Sequence, residues 1–538
     1  MADEPLKLRP YQEEGLDQIS KYRSSLVAWD MGTGKTLLAV ELMRKILETP
    51  RIKEVGGEQV ELPGRLRALV VAPINTHHSW EATIRRQMPG TAVTILGTPG
   101  SDEAGWKRLT STFKMGGVYI IGWEAMHGWV EKVKDPGTGD VISEISHVPP
   151  WQLAGTFDLV VADECHRMQN RKSMSAKVLK HIDTVRRLAM SGTPAGNRKE
   201  GIWSTLNWLW PGKYPYFWPW INETMVTRPD PYKKIAIEGE KERGSTIRDI
   251  PSYTRLELAD VNDQLPPVAE HVVEVAMGIK QTKIYKDFKD QAFAWLEDMP
   301  VGTPLPITQR IRLRQVALGT PSAVIVEKTK RKPMEVTRRK LIEVTTDEDD
   351  NVLDEKWDDV TETVMTEEIE EKLEVYFKPN SKSSKIEALK EILADLPEGE
   401  PVMVYLHSKR FAEPVAHQLG KRAVIWSGDT SQAKRRQIMQ AFGKPGGPQI
   451  IVAVISAISE GTDGLQRVCA NEVWLSQDDN NLMNEQAKAR LLRTGQERMV
   501  NRWYIQSEGT IDKGVYIRTG ENRVEMKSFY RVGTESDA

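Results

Sequence analysis

Short, unbroken apolar runs recur along the chain, and most of them end in a polar or glycine-rich turn. Leu26-Val27-Ala28-Trp29, Arg67 to Pro73, Val118 to Ile121, Phe157 to Ala162 and Leu188 to Met190 form a first series. Pro401 to Leu406, Ala423 to Trp426 and Ile450 to Val454 form a second. Runs of this length without polar alternation suit strands covered on both faces, as in a parallel sheet. Segments with three-to-four-residue apolar spacing, beginning with Leu37 to Leu47, predict amphipathic helices between them. From Tyr214 to about Asn380 the rhythm is lost. Helical stretches at Gln281 to Leu296 and Gln309 to Leu318 precede β-rich flanks around Asp347-Glu348-Asp349-Asp350-Asn351, a pattern for a protruding hairpin. Another inserted loop or hairpin is expected at about 127–156, where Asp135-Pro136-Gly137-Thr138-Gly139 interrupts the pattern. The expected fold class is α/β, with two parallel-sheet units and a helical, partly β insertion. The expected division is 1–212, 213–380 and 381–510, with a C-terminal extension at 511–538.

Composition changes this picture little. Cys165 and Cys469 are the only cysteines, which excludes a disulfide framework and a cysteine-based zinc site. The start, Met1-Ala2-Asp3-Glu4-Pro5, lacks the pattern of a secretory signal. The longest apolar run, Ile450 to Ile458, is too short to span a bilayer, so a cytoplasmic location with no membrane partner is expected. Charge adds more. Glu343 to Glu374 holds 15 acidic residues against two lysines, a net of −13, which leaves +11 for the rest of a chain with net charge −2. A polyanion partner for the basic body and a merely solvated acidic loop fit that balance equally well. Such an acidic segment could also compete with DNA for a basic cleft.

The candidate chemistry lies where the apolar runs end. Asp30-Met31-Gly32-Thr33-Gly34-Lys35-Thr36 joins a strand to a helix, and its backbone N–H groups and helix start favour an anion. Lys35 would reach the β- and γ-phosphates of a nucleotide, and the Thr36 hydroxyl would hold Mg²⁺. The first Gly of the full phosphate-loop pattern is absent, because Trp29 occupies its place. Gln12, some twenty residues upstream, carries an amide that can donate to and accept from adenine; taken alone it reads as a surface residue, and its placement ahead of the loop favours the nucleotide role. Asp163 and Glu164 close a strand, where open parallel sheets place ligands. One carboxylate can hold Mg²⁺ and the other can orient the attacking water. His166 is expected to couple this pair to Ser191-Gly192-Thr193-Pro194. Thr76, at a helix start, could take a nucleic-acid phosphate, or serve as a cap. The tryptophans at 203, 208, 210, 218 and 220 could stack on bases, but their helical spacing favours a core. In the second series, Arg490 and Arg493 are three apart, a spacing that would place them on one helix face. Two guanidiniums so held suit a γ-phosphate approached from across a cleft.

Asp30 to Thr36, Asp163 to Asn170, Ser191 to Asn197 and Gln486 to Gln496 together resemble a Swi/Snf-type translocase of helicase superfamily two, in a short form like bacterial or bacteriophage members. The resemblance implies two RecA-like lobes with ATP and Mg²⁺ between them and duplex DNA across the top, in a monomer that remodels what the DNA carries. It implies that Gln12, Gly32, Thr33, Gly34, Lys35, Thr36, Gly464 and Gln486 bind the nucleotide, with Thr36 and Asp163 on Mg²⁺. It makes Glu164, Asp163, Lys35, Arg493 and Arg490 the catalytic set, the two arginines acting as finger. DNA contacts would fall at Thr76, Trp123, Ser408, Lys409, Gly428 and Thr462. The stretch Ser459 to Gln466 departs from the family pattern by one extra residue near Asp463. A strand-separating or annealing helicase, and the motor subunit of a restriction or anti-phage complex, are the alternatives.

Overall fold

The computed structural model describes residues 4–531 apart from 56–57, 63, 98–102, 114–115, 128, 135–140, 148–150, 197, 231–233, 262–264, 304, 347–351 and 459–463. Strands Ser24–Trp29 (β1), Arg67–Ala72 (β2), Val93–Ile95 (β3), Gly117–Gly122 (β4), Phe157–Asp163 (β5), Thr184–Met190 (β6) and Tyr253–Leu256 (β7) form one sheet. Its order is β7-β1-β6-β5-β2-β4-β3, and every neighbouring pair is parallel. Val268–Val275 (β8), Val402–Leu406 (β9), Ala423–Trp426 (β10), Ile450–Val454 (β11), Asn471–Trp474 (β12) and Val500–Ser507 (β13) form a second parallel sheet, in order β8-β13-β12-β9-β11-β10.

The apolar runs behave as their pattern requires. In β1, Leu26 and Ala28 enter one core while Val27 and Trp29 enter the core on the opposite face. A strand in that setting has no solvent side, so alternation would cost about 2–7 kcal/mol for each unpaired polar group it buried. Helices Pro10–Ser20 (α1), Lys35–Glu48 (α2) and His77–Gln87 (α3) pack beside the first sheet. Ile279–Gln291 (α4) and Pro306–Leu318 (α5) follow β8, Asn481–Lys488 (α6) follows β12, and Ile511–Arg531 (α7) follows β13.

Two boundaries differ from expectation. The first sheet reaches past 212 to take β7, and the second begins at β8, well before 381. Both strands pair along one side only and carry polar residues, so neither reads as a continuous apolar run. The helix expected to reach Leu296 stops at Gln291, because Ala292 turns left-handed at φ 55° and Phe293–Leu296 pairs with Met299–Gly302.

The β-rich flanks form an antiparallel ribbon, Ser322–Thr346 against Val352–Tyr376; its turn lies outside the described residues. Register sets Lys328 opposite Glu370, Lys330 opposite Glu368, Arg331 opposite Glu367 and Lys340 opposite Asp358. The acidic residues from Asp354 to Glu374 therefore lie on one strand, opposite a strand richer in basic residues, whereas Glu343 lies on that second strand and Asp347 to Asp350 fall outside the described residues. A shorter hairpin, Trp129–Lys134 with Val141–His147, occupies the first expected insertion. Trp203, Trp208 and Trp220 are buried core residues, Trp210 packs against them, and Trp218 is exposed. Both cysteines are buried and free.

Candidate active site

β1 delivers the glycine-rich loop to the start of α2. Gly32 and Gly34 both sit at φ 83°, a left-handed conformation that disfavours other residues. A Cβ on Gly34 would also lie 2.2 Å from the Gln12 amide nitrogen. No side chain caps α2, so its first N–H groups are left to the loop. Lys35, buried beneath, donates to the carbonyls of Trp29 at 2.8 Å and Asp30 at 3.0 Å. Gln12 is buried against this loop: its Nε2 donates to the Thr33 carbonyl at 3.0 Å and its Oε1 accepts from Arg9 N at 2.9 Å. The Tyr11 hydroxyl donates to the same Thr33 carbonyl at 3.1 Å.

β5 ends at the paired carboxylates. Asp163 Oδ2 accepts from the Trp80 indole at 3.0 Å, and Oδ1 accepts from Glu164 N at 3.1 Å. Glu164 adopts φ 52°, ψ 51°, a strained geometry for a non-glycine residue worth about 1–3 kcal/mol. Its Oε2 accepts from Ser191 Oγ at 3.1 Å and lies 3.3 Å from His166 Nδ1. Ser191 Oγ in turn lies 3.0 Å from that nitrogen and accepts from Thr193 N at 3.1 Å. His166 therefore does link the carboxylate to the Ser191 turn. Burial, reinforced by the neighbouring Glu164 charge, pushes Asp163 up from the ordinary aspartate range. Burial works the same way on Glu164, but His166, Lys35 and Ser191 outweigh it and hold that carboxyl low.

The second sheet's unit closes on the loop. Thr494 Oγ1 donates to the Gly32 carbonyl at 3.3 Å, and Arg493 Cβ lies 3.3 Å from where a Gly32 Cβ would stand. The two arginines do not share a helix face. α6 stops at Lys488, and Arg490 and Arg493 follow in turns that end at Gly495, φ 91°. Arg490 is buried within its own unit, where its charge acts on Tyr405. Gln486 is buried with its Oε1 unpartnered, in the wall of a cavity of about 270 Å³ shared with Met31, Glu164 and Thr193. Gly464, φ 99°, caps a short 3₁₀ turn.

The expected DNA contacts divide. Thr76 spends its hydroxyl on the Pro73 carbonyl at 2.8 Å, ahead of α3. Trp123 is no surface residue: it is buried, and its indole donates to the Asp163 carbonyl at 2.8 Å, bracing the end of β5. Ser408 precedes the helix Lys409–Leu419, Lys409 is exposed and paired with Asp429, and Gly428 is exposed. Thr462 lies outside the described residues. Gln432 of the second unit meets Asn75, beside Thr76, so the two candidate DNA surfaces adjoin. Trp80, Arg255 and Tyr530 are site residues that motif reasoning missed. Only Trp80 left a signal, in the 77/80/84/87 stripe of α3.

Among the described residues no cluster of three or more His, Cys, Asp or Glu forms a metal site. Thr36 and Asp163 instead suit an ion that takes its remaining ligands from phosphate and water, as Mg²⁺ does. No helix among the described residues is long and apolar enough to cross a membrane.

Comparison with known proteins accords with this arrangement. The family described as SNF2-related domain matches residues 11–335, and the helicase conserved C-terminal domain matches 384–495. The Arabidopsis thaliana protein CHROMATIN REMODELING 5 is 23% identical over 96% of this chain, which spans 27% of that protein. The rice DNA repair and recombination protein RAD54 is 24% identical over 95% of the chain, which spans 50% of it. The chain thus covers half or less of either relative. The Sulfolobus solfataricus SWI2/SNF2 ATPase core in complex with dsDNA aligns over all of this chain and 97% of that one, at 16% identity and a TM-score of 0.36. The chain belongs to the SNF2-related family, the Swi/Snf-type ATPases of helicase superfamily two.

Proposed function

We propose that the protein is a DNA-stimulated ATPase that moves along duplex DNA by opening and closing its two lobes, and remodels what is bound there. The observation that carries this reading is the seam at Gly32, where Arg493 and Thr494 of one lobe abut the phosphate loop of the other. Bound MgATP would supply the phosphoanhydride to be cleaved. Lys35 and the N–H groups at the start of α2 would hold its phosphates, with Thr36 and Asp163 on the metal. The second N–H and remaining lone pair of the Gln12 amide suit an adenine edge. Glu164, held low, is ionised at neutral pH and so orients the attacking water as an acceptor rather than as a strong base. Arg493 completes the site only when the lobes meet, so DNA that favours closure raises kcat by shifting that population. The adjoining Asn75 and Gln432 support a DNA track shared by both lobes. Phosphate release measured with no polymer, single-stranded DNA, duplex DNA and RNA tests the reading, beside triplex displacement and forked-duplex unwinding. Stimulation by duplex with triplex loss and no unwinding is expected. Equal rates with and without polymer would refute it, and efficient unwinding would favour a strand-separating helicase.

A further inference from the structure

β7 carries a charge at its centre. In register, Arg255 stands opposite Ala28, two residues before Asp30 opens the phosphate loop. Its side chain is 3% exposed. Nη1 donates to the Ala28 carbonyl at 2.7 Å and lies 2.8 Å from Asp30 Oδ1. The other Asp30 oxygen accepts from Leu258 N at 3.2 Å, and Asp30 N donates to the Leu256 carbonyl at 2.9 Å. The mouth of the loop is thus fastened to β7 by both backbone and side chain.

A guanidinium this buried needs anions, and two flank it. Asp30 is in contact; Glu257 Oε1 stands off at 3.7 Å from Nη2. Glu257 is engaged from elsewhere. Arg531 Nε donates to it at 2.6 Å and Lys527 Nζ at 3.4 Å, both from the last turns of α7. The Tyr530 ring between those two residues lies 5.7 Å from Arg255, and its hydroxyl accepts from Ala195 N at 3.1 Å. The other end of α7 is tied to the second lobe, where Asp512 meets Lys385 at 2.6 Å.

We propose that Arg255 is a positioning residue for the phosphate loop, and that the docked end of α7 sets its hold by occupying Glu257. The proposal rests on the ATP reading of that loop. With α7 docked, Glu257 is neutralised by two cations and Arg255 is left to Asp30. With α7 lifted, Glu257 is the less compensated carboxylate; it draws the guanidinium across and slackens the loop. Lobe arrangement then reaches the nucleotide through Arg255 and Glu257.

Arg255 is buried and its variants can fail to fold, so the test uses the exposed end of the relay, in the full chain. K527Q/R531Q is compared with wild type, and the same pair is compared in an E257Q background, by binding of a fluorescent ATP analogue with melting temperature as the fold control. The pair should weaken analogue binding about tenfold when Glu257 is present. It should weaken it less than about twofold once Glu257 can no longer compete. An equal loss in both backgrounds, or none in either, overturns the relay while the ATP reading stands. A wild-type chain that binds no analogue overturns both.

Discussion

The seam at Gly32 gives single residues separable roles. On the proposed reading, Arg493→Ala removes a charge that acts on the transferring phosphoryl group, whereas Lys35 and the loop amides bind the ground state as well. The expected outcome is a kcat lower by about 10³-fold or more with KM for ATP within about threefold, read by steady-state phosphate release. A kcat within about threefold of wild type would end the cross-lobe assignment. Trp80 acts one step back. Its indole N–H favours the ionised form of Asp163, so Trp80→Phe removes a hydrogen bond to a charged group worth about 1.5–3 kcal/mol. A less ionised Asp163 is a poorer metal ligand, and the Mg²⁺ concentration for half-maximal turnover should rise several-fold. An unchanged Mg²⁺ titration, with the protein folded, would show that the indole only packs. The Trp80 contact was not visible as a motif, because a packing residue with one polar atom leaves only its apolar period in a sequence.

Elements were legible in proportion to their burial. β1, β5, β9 and β11 are covered on both faces, so their apolar runs announced both the strands and the loops that carry the chemistry. β7 was not legible: it is an outer strand of four residues, and Arg255 at its centre reads as a loop residue until Asp30 is seen beside it. Helix ends misled for a related reason. Spacing placed Arg490 and Arg493 on one face, but periodicity cannot report that α6 unwinds at Lys488. Elements far apart in sequence also meet at points that no local pattern marks. Asp479, between β12 and α6, pairs with Arg310 and Arg314 of α5 and with Arg518 of α7. Burial would raise this carboxyl, but the three arginines hold it below the usual range. A carboxylate depressed in the folded state contributes stability above its unfolded pKa, and that contribution is lost as pH falls through the folded value. Asp479→Asn should therefore melt below wild type at pH 7, and the difference should shrink as pH drops below about 4. A constant difference across that range would mean that the ion pairs add nothing beyond packing.

At the scale of the molecule, the linker between β7 and β8 and the helix α7 both join the two lobes, and the proposed catalytic constellation lies where those lobes meet. Among the described residues, the long ribbon has no place in that arrangement. Composition made Glu343 to Glu374 look like a free polyanion able to compete with DNA. Register gives a different account, because the acidic strand faces a basic one for much of its length. A 25-residue strand extends roughly 80 Å, many times the Debye length of about 8 Å at physiological salt. Charges far along a ribbon of that length are therefore screened from DNA on the lobes. Residues 328–370 can be replaced by Asn-Gly, joining Glu327 to Glu371, which already stand opposite each other. The shortened chain should bind duplex DNA with the same affinity and the same slope of log affinity against log salt, to within about one phosphate contact. Tighter binding at low salt with a steeper slope would instead restore the acidic strand as a competitor, and would require it to leave its partner to reach the cleft.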